Sequence, residues 1–464
     1  MKVIMGLEIH TRMETKSKFF CSCSTDIDGA EPNSHTCPVC LGFPGSKPAA
    51  NKKVFDFGIM VARALNCKIN QEMFFSRKSY FYPDMSKNFQ ISQYEIPIAS
   101  KGWLQLSNKK IHITRVHLEE DPAKLQHVGG DITSAQYVLV DYNRAGMPLI
   151  EIVTEPDFET TKEVREFLAK LSSILEHLEV YDSSKEASLR VDANISIEGS
   201  ERVEIKNITG FANVEKALNY EIIRHQNLLR MGQKIVRETR HFDAATKSTA
   251  SLRKKEFEDD YGYIFEPDLT KIVISNDWIA KIKMPELPDQ RAARFMQQYK
   301  LREREANIIV YVDKALADFF EACSKLYKGY EQLSFWIVGD LLKNLNANDI
   351  TIRQSKVTPE NFVDLLKLID SGKITGKLAK EIIKDFVKTG KAPAEIIKRK
   401  KIVVIGDAAD VEKIVREVVA ANKKAYDEFK AGKREVLGFL IGEVMKRTRA
   451  AADPKVVKKI IEKM

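Results

Sequence analysis

Between His117 and Asp157 the chain reads HLEEDPAKLQHVGGDITSAQYVLVDYNRAGMPLIEIVTEPD, with His117, Glu119, Glu120 and Asp121 almost side by side. Carboxylates packed so closely repel one another unless a cation or a positively charged ligand joins them. An imidazole stands beside them, and two apolar, strand-like runs follow (QYVLV and PLIEIV), so the cluster is a candidate hard-metal site. Near the start, IMGLEIH alternates like a half-buried strand: Leu7 and Ile9 face one way, Glu8 and His10 the other. A carboxylate and an imidazole two residues apart can reach a common ion, although such a pair taken alone more often marks a solvated face.

A second polar set lies in SLRVDANISI and VEIKN, separated by the turn Glu198-Gly199-Ser200. Strict alternation sends Leu189, Val191, Ala193, Ile195 and Ile197 inward, with Val203 and Ile205 beside them. If the two strands pair as a hairpin, Arg190, Asp192, Asn194, Glu204 and Lys206 share the opposite surface. Cations mixed with carboxylates and an amide fit a pocket for a metal–nucleotide complex. Cross-strand ion pairs on an exposed hairpin are the competing reading.

The third set is CSCSTDIDGAEPNSHTCPVC, which holds Cys21, Cys23, Cys37 and Cys40. Two close cysteine pairs across a short polar loop match a four-thiolate zinc site, because zinc takes tetrahedral sulfur at ~2.3 Å and each pair supplies two ligands from one turn. All four positions would be filled, so the role is structural. Two disulfides are the alternative, disfavoured by the reducing compartment expected below. Cys67 and Cys323 read as buried core thiols.

Elements must hold these sets in place. Residues 52–67 carry a helical apolar pattern, and Thr160 with Glu163 forms a capping-box pair ahead of a core helix at about 161–178. The segment SRKSYFYPDMSKNFQISQYEIPI is dense in Tyr80, Tyr82, Lys87, Asn88 and Gln90; it can stack a base and hold phosphates or simply pack a loop. Pro285 and Pro288 in KMPELPDQ break the pattern and mark the main domain boundary. Beyond it the chain turns helical: Thr358-Pro359-Glu360 is a helix start, and Asp453-Pro454 repeats the device. A further break near 391–405 separates a tail whose lysines and arginines interleave with helical apolar positions. Such a tail can grip a phosphate backbone or be a solvated face. The expected organisation is α+β: 1–288 with a largely antiparallel sheet, flanking helices and a zinc-binding insertion near 21–40; 289–395 helical; and 396–464 a small basic helical tail.

The net charge of +9 over 464 residues suits a polyanion partner, weakly. The opening MKVIMGLEIH turns polar at once, and no apolar run approaches the ~20 residues of a membrane span. A cytoplasmic, reducing setting without a membrane partner is therefore expected, and six cysteines in a chain this long do not suggest a disulfide scaffold. The absence of GxxxxGK[ST], GxGxxG after a strand, a nucleophile elbow and HExxH argues against a P-loop NTPase, a Rossmann enzyme, an esterase and a zinc protease.

Taken together, GLEIH, GAEPNS, RKSYFYPDMSKNFQISQ, RVHLEED, DYNRAGMPLIEIVTEPD, SLRVDANIS, EIKNI and FEPDL closely resemble the B-subunit family of the aspartyl/glutamyl-tRNA amidotransferases (GatB), a match that runs on to LGFLIGEVMKRTRAAADPKVV. The related E-type subunit carries a synthetase-like insertion, and no block of that size separates FEPDL from ELPDQ. The resemblance implies a cradle-shaped catalytic domain, a helical domain and a YqeY-like tail that holds tRNA. It implies a ligase that uses glutamine as amido donor: ATP phosphorylates the side-chain carboxylate of Glu or Asp misattached to tRNA(Gln) or tRNA(Asn), and ammonia then displaces phosphate. On matching positions it implies magnesium at Glu8, His10 and Glu120, with Glu119 next. Arg190, Asp192, Asn194, Glu204 and Lys206 would surround ATP and substrate, and zinc would sit on the four cysteines. No Ser-Ser-Lys amidase signature is visible; glutamine hydrolysis would belong to a separate A subunit, with a small C subunit completing a heterotrimer and ammonia channelled between them. The competing readings are a non-catalytic, zinc-stapled tRNA-binding scaffold and an E-type subunit paired with an asparaginase-like partner. Glu120→Ala is the substitution by which the sequence would separate catalyst from scaffold.

Overall fold

The computed structural model describes residues 2–129, 135–185, 188–254, 262–399, 408–448, 452 and 454–464. The chain forms two compact units, Met1–Pro288 and Asp289–Met464, which meet where the paired prolines interrupt the pattern. Asp453 of Asp453-Pro454 lies outside the described residues, as do Lys400 and Lys401 at the break near 391–405.

In the first unit the strands are, in chain order, β1 (Val3–Arg12), β2 (Lys68–Ile69), β3 (Glu72–Met73), β4 (Ser76–Ser79), β5 (Phe89–Ser92) and β6 (Ala99–Gln105). They continue as β7 (Lys110–Glu120), β8 (Lys124–Val128), β9 (Tyr137–Asp141), β10 (Pro148–Thr154), β11 (Leu189–Ile197) and β12 (Val203–Thr209). The last are β13 (Glu238–Asp243), β14 (Ser248–Lys254), β15 (Gly262–Phe265) and β16 (Ile272–Val273). Helices α1 (Pro38–Leu41), α2 (Lys52–Ala64), α3 (Thr161–His177), α4 (Phe211–Arg230) and α5 (Asn276–Lys281) intervene.

The main sheet runs β14-β13-β12-β11-β1-β10-β7-β6-β2. Its pairs are antiparallel except β12 and β13, which run parallel with α4 as the crossover between them. Parallel neighbours cannot be joined by a tight turn, so this helical connection is the expected solution. Period-two alternation sends Leu7, Ile9, Val116, Leu118, Ile150, Ile152, Val191 and Ala193 into one apolar core shared with Phe55 and Val61 of α2, Phe167 and Leu171 of α3, and Val214 and Leu218 of α4. The opposite face of the central strands carries the polar residues. A short sheet, β15-β4-β5, the pair β16-β3 and the hairpin β8-β9 complete the sheets of the unit among the described residues.

The capping box at α3 is formed: Glu163 N–H donates to Thr160 Oγ1 (3.3 Å) and Thr160 N–H to Glu163 Oε2 (3.2 Å). Thr160→Ala is expected to cost about 1 kcal/mol; a urea titration reads it as a lower midpoint with unchanged slope.

The second unit is helical, from Pro288–Tyr299 to Pro454–Lys463, around one apolar core that includes Phe295, Phe320, Phe362, Phe386, Val415 and Ile461. Thr358 caps the helix Pro359–Asp370, accepting from Asn361 N–H (3.3 Å), with Pro359 at its first position. The sequence division near 395 falls within this shared core.

Candidate active site and metal centres

Five strands, β1, β7, β10, β11 and β12, bring the chemistry together. On β1, Glu8 and His10 project from the open face, because Leu7 and Ile9 are committed to the core. β1 lies between β10 and β11 in a register that sets His10 opposite Glu151 on one side and Arg190 on the other, with Glu8 opposite Asp192. β7 then places His117 opposite Glu151, so Glu119, two residues on, shares that face.

Two ligand groups result. In the first, His10, Glu119 and Glu151 each offer an atom within 4.8 Å of the others. His10 Nε2 lies 3.8 Å from Glu119 Oε1 and 4.0 Å from Glu151 Oε2, and His117 Nδ1 is 3.6 Å from Glu151 Oε2. In the second, Glu8, Asp192 and Glu204 converge equally closely. Asn194 Nδ2 donates to Glu8 Oε1 (3.0 Å), and the Asn207 amide donates to Asp192 Oδ1 (2.7 Å).

Burial and crowding shape the charges. Burial, then the neighbouring Glu151 carboxylate, pushes Glu119 up to about 7. Burial, Glu151, Asp192 and Glu204 likewise hold Glu8 above the usual carboxylate range. At His10, burial works against protonation, but Glu151 and Glu119 more than offset it and the imidazole is raised. Burial takes His117 down to about 4, so it is neutral at physiological pH, and its Nε2 is buried without a hydrogen-bond partner. Raised carboxylates mark anions that lack a counter-charge. Oxygen and imidazole donors on rigid strands fit a hard divalent cation such as magnesium or manganese.

Of the residues the sequence singled out, Glu8, His10, Glu119, Asp192, Asn194 and Glu204 are brought together. Glu120 is in neither group. Neighbouring residues on a strand point to opposite faces; with Glu119 turned to His10, Glu120 accepts from the Ile91 amide (3.0 Å) and pairs with Lys87. Arg190 stands at the rim, donating to Asp121 Oδ1 (2.7 Å), and Lys206 Nζ is 3.9 Å from Glu204 Oε1. Glu151 was missed. Its signal was a lone carboxylate inside the apolar run PLIEIV, but its partners lie on two other strands. Lys78, whose charge acts on Glu119, Glu151 and His117, was missed as well.

The cysteine quartet forms a separate centre. Cys21, Cys23, Cys37 and Cys40 offer sulfurs within 4.8 Å of one another. A hydrogen bond from Cys21, helped by Lys18, holds Cys40 down to about 4, while Cys21 is raised and Cys23 is pushed up to about 11. One thiolate is thus preformed, while Cys21 and Cys23 stay protonated until a cation offsets their charge. Lys18, fully buried, also donates to His35 O (2.8 Å) and Tyr142 O (3.4 Å), tying the insertion to the turn before β10.

Comparison with known proteins shows the family. Residues 3–280 match the GatB/GatE catalytic domain and residues 318–464 the GatB domain. This chain belongs to the GatB family. It is 45% identical over 474 residues to the B subunit of the aspartyl/glutamyl-tRNA(Asn/Gln) amidotransferase from Thermotoga neapolitana, covering 99% of this chain and 98% of that one. It is 46% identical over 468 residues to the protein of the same name from Saccharolobus solfataricus, covering 99% of each. With that from Thermosipho melanesiensis the identity is 46% over 472 residues, covering 100% of this chain and 99% of the other. Among the described residues of this GatB-family chain, no helix is long and apolar enough to cross a membrane.

Proposed function

We propose that this chain activates and amidates the side-chain carboxylate of glutamate or aspartate misattached to tRNA(Gln) or tRNA(Asn). The observation that carries this reading is the pair of neighbouring groups, His10–Glu119–Glu151 and Glu8–Asp192–Glu204, on one open sheet face. A carboxylate is a poor acyl donor. Its oxygen attacks the γ-phosphorus of ATP, ADP leaves, and the acyl phosphate has a good leaving group. Ammonia then attacks the acyl carbon, phosphate departs, and a proton is lost to give the amide. Magnesium held by the two groups would neutralise the charge of the transferring phosphoryl group. The chain's own residues fix geometry: Asn194 and the Asn207 amide orient Glu8 and Asp192, and the Arg190–Asp121 pair rigidifies the rim. Ammonia would come from glutamine hydrolysed on a separate amidase A subunit, with a small C subunit completing the complex. The basic helical unit would hold the body of the tRNA in a cytoplasmic setting.

The test supplies the chain and its A and C partners with Glu-tRNA(Gln), ATP, magnesium and ammonium chloride. Gln-tRNA(Gln) that requires ATP supports the reading, and Asp-tRNA(Asn) tests substrate range in the same way. Bound tRNA without product from either substrate would favour the scaffold reading.

The cysteine centre is assigned to structural zinc. Metal analysis should find one zinc per chain. Because Cys21 and Cys23 must lose protons on binding, zinc should be released increasingly as pH falls. A chromogenic chelator titrated between pH 8 and pH 5 measures it; release independent of pH would oppose four-thiolate ligation.

A further inference from the structure

We infer that Thr239 on β13 is the positioning residue for the carboxylate of Glu204, and that a buried ionic network behind β13 holds its hydroxyl in place. The inference rests on reading Glu8, Asp192 and Glu204 as a cation site. Each of these carboxylates receives an orienting donor from outside the group. Asn194 serves Glu8 (3.0 Å), the Asn207 amide serves Asp192 (2.7 Å), and Thr239 Oγ1 donates to Glu204 Oε2 at 3.2 Å. A ligating carboxylate fixed by such a donor needs no reorganisation when the cation arrives.

The geometry follows from the parallel pairing. Glu204 and Thr239 are register partners on β12 and β13, so their side chains leave the sheet on the same side. Alternation turns Glu238 and Arg240, either side of Thr239, to the opposite side, where α4 lies. There Glu221, fully buried, accepts from Arg224 Nε (2.9 Å), lies 3.1 Å from Arg240 Nε, and accepts from Thr249 Oγ1. Arg240 also donates to Glu238 Oε1 (2.8 Å) and Thr249 O (2.8 Å), and Arg224 Nη2 is 3.2 Å from Glu238. β13 is thereby fastened to α4 and to β14 directly behind the threonine. Thr239 is only 3% exposed, so water does not readily replace its hydroxyl.

The experiment measures binding of Mn2+ alone to the full chain in its complex, by the electron paramagnetic resonance of free Mn2+, for the parent, Thr239→Val, Thr239→Ser and Glu204→Gln. Thr239→Val keeps the shape and removes the donor. It should weaken Mn2+ binding about tenfold, leave the metal-free melting temperature unchanged, and raise the metal concentration needed for half-maximal amidation more than it lowers the maximal rate. Thr239→Ser should restore the affinity. If Glu204→Gln weakens Mn2+ binding and Thr239→Val does not, the positioning role is wrong while the cation site stands. If Glu204→Gln leaves Mn2+ binding unchanged, both fall. A Thr239→Val protein that loses metal-free stability along with affinity, with neither restored by Thr239→Ser, also overturns the inference.

Discussion

Substituting Glu151 by Gln is expected to lower ATP-dependent amidation at least about 100-fold, the scale on which removing one charge-stabilising group acts at a preorganised site. Glutamine keeps the shape and one acceptor oxygen but removes the charge that His10 and His117 face at 4.0 and 3.6 Å. The first ligand group then loses a carboxylate, and the counter-charge that helps raise His10 goes with it. The protein should remain folded and still bind tRNA, because the substitution touches neither the apolar core nor the helical unit. Amidation with ammonium as donor, run beside a filter-binding assay for tRNA, measures both. Turnover within threefold of the parent would remove Glu151 from the chemistry and revive the scaffold reading. Glu120→Ala no longer serves this purpose, since Glu120 pairs with Lys87; loss of activity there would report on the packing of Lys87 and Ile91.

The second large effect is on stability. In magnesium-free protein that retains its zinc, Glu119 should withdraw on the order of 3 kcal/mol of stability as pH rises from about 4.5 to 7, opposed below 6.5 by His117, which is lowered to about 4 and favours the folded state as pH rises. Glu119 ionises near 4.5 when unfolded and near 7 when folded, so across that interval the folded state binds more protons and rising pH favours unfolding. His10 acts in the same direction: its folded-state value is raised above 6.5, so its contribution is complete below 6.5 and lost as pH rises through the folded value. Glu151 is lowered because the His117 and His10 imidazoles offset its burial, so its contribution is present above 4.5 and disappears below that window. A divalent cation reverses the effects at Glu119 and His10 by supplying the missing positive charge. Added magnesium should therefore raise the melting temperature more at pH 7.5 than at pH 5. Glu119→Gln should remove this loss, so that its stability relative to the parent grows from pH 5 to pH 7.5 in magnesium-free buffer, and should lose the response to magnesium. Urea titrations at the two pH values check this. Parent and Glu119→Gln proteins with the same change of stability between pH 5 and pH 7.5 without magnesium would contradict the charge balance described here.

How far the site could be read from the chain depended on the distance over which each signal acts. Alternation in IMGLEIH and SLRVDANISI placed Glu8, His10, Asp192 and Asn194 on polar faces, because side-chain direction along a strand follows from local covalent geometry. The capping box at Thr160 and the proline-started helix at Thr358 were legible for the same reason. The cysteine quartet was legible because zinc ligation needs paired thiols on tight turns. Glu120 was grouped with Glu8 and His10 through the family resemblance; the pleat sends Glu119 and Glu120 to opposite sides, and of the two it is Glu119 that lies against His10.

Sequence alone thus determined the main element types, the polar faces of β1 and β11, the break at Pro285 and Pro288, and, through its motifs, the family. Tertiary structure decided which polar faces meet. The order β12-β11-β1-β10-β7 and its registers put Glu151 against His10, and Asp192 and Glu204 against Glu8; the parallel return through α4 put Thr239 against Glu204. These pairings join residues up to 196 positions apart, between Glu8 and Glu204. They are fixed by burying the apolar faces of five strands in one core. No local window of the chain encodes that.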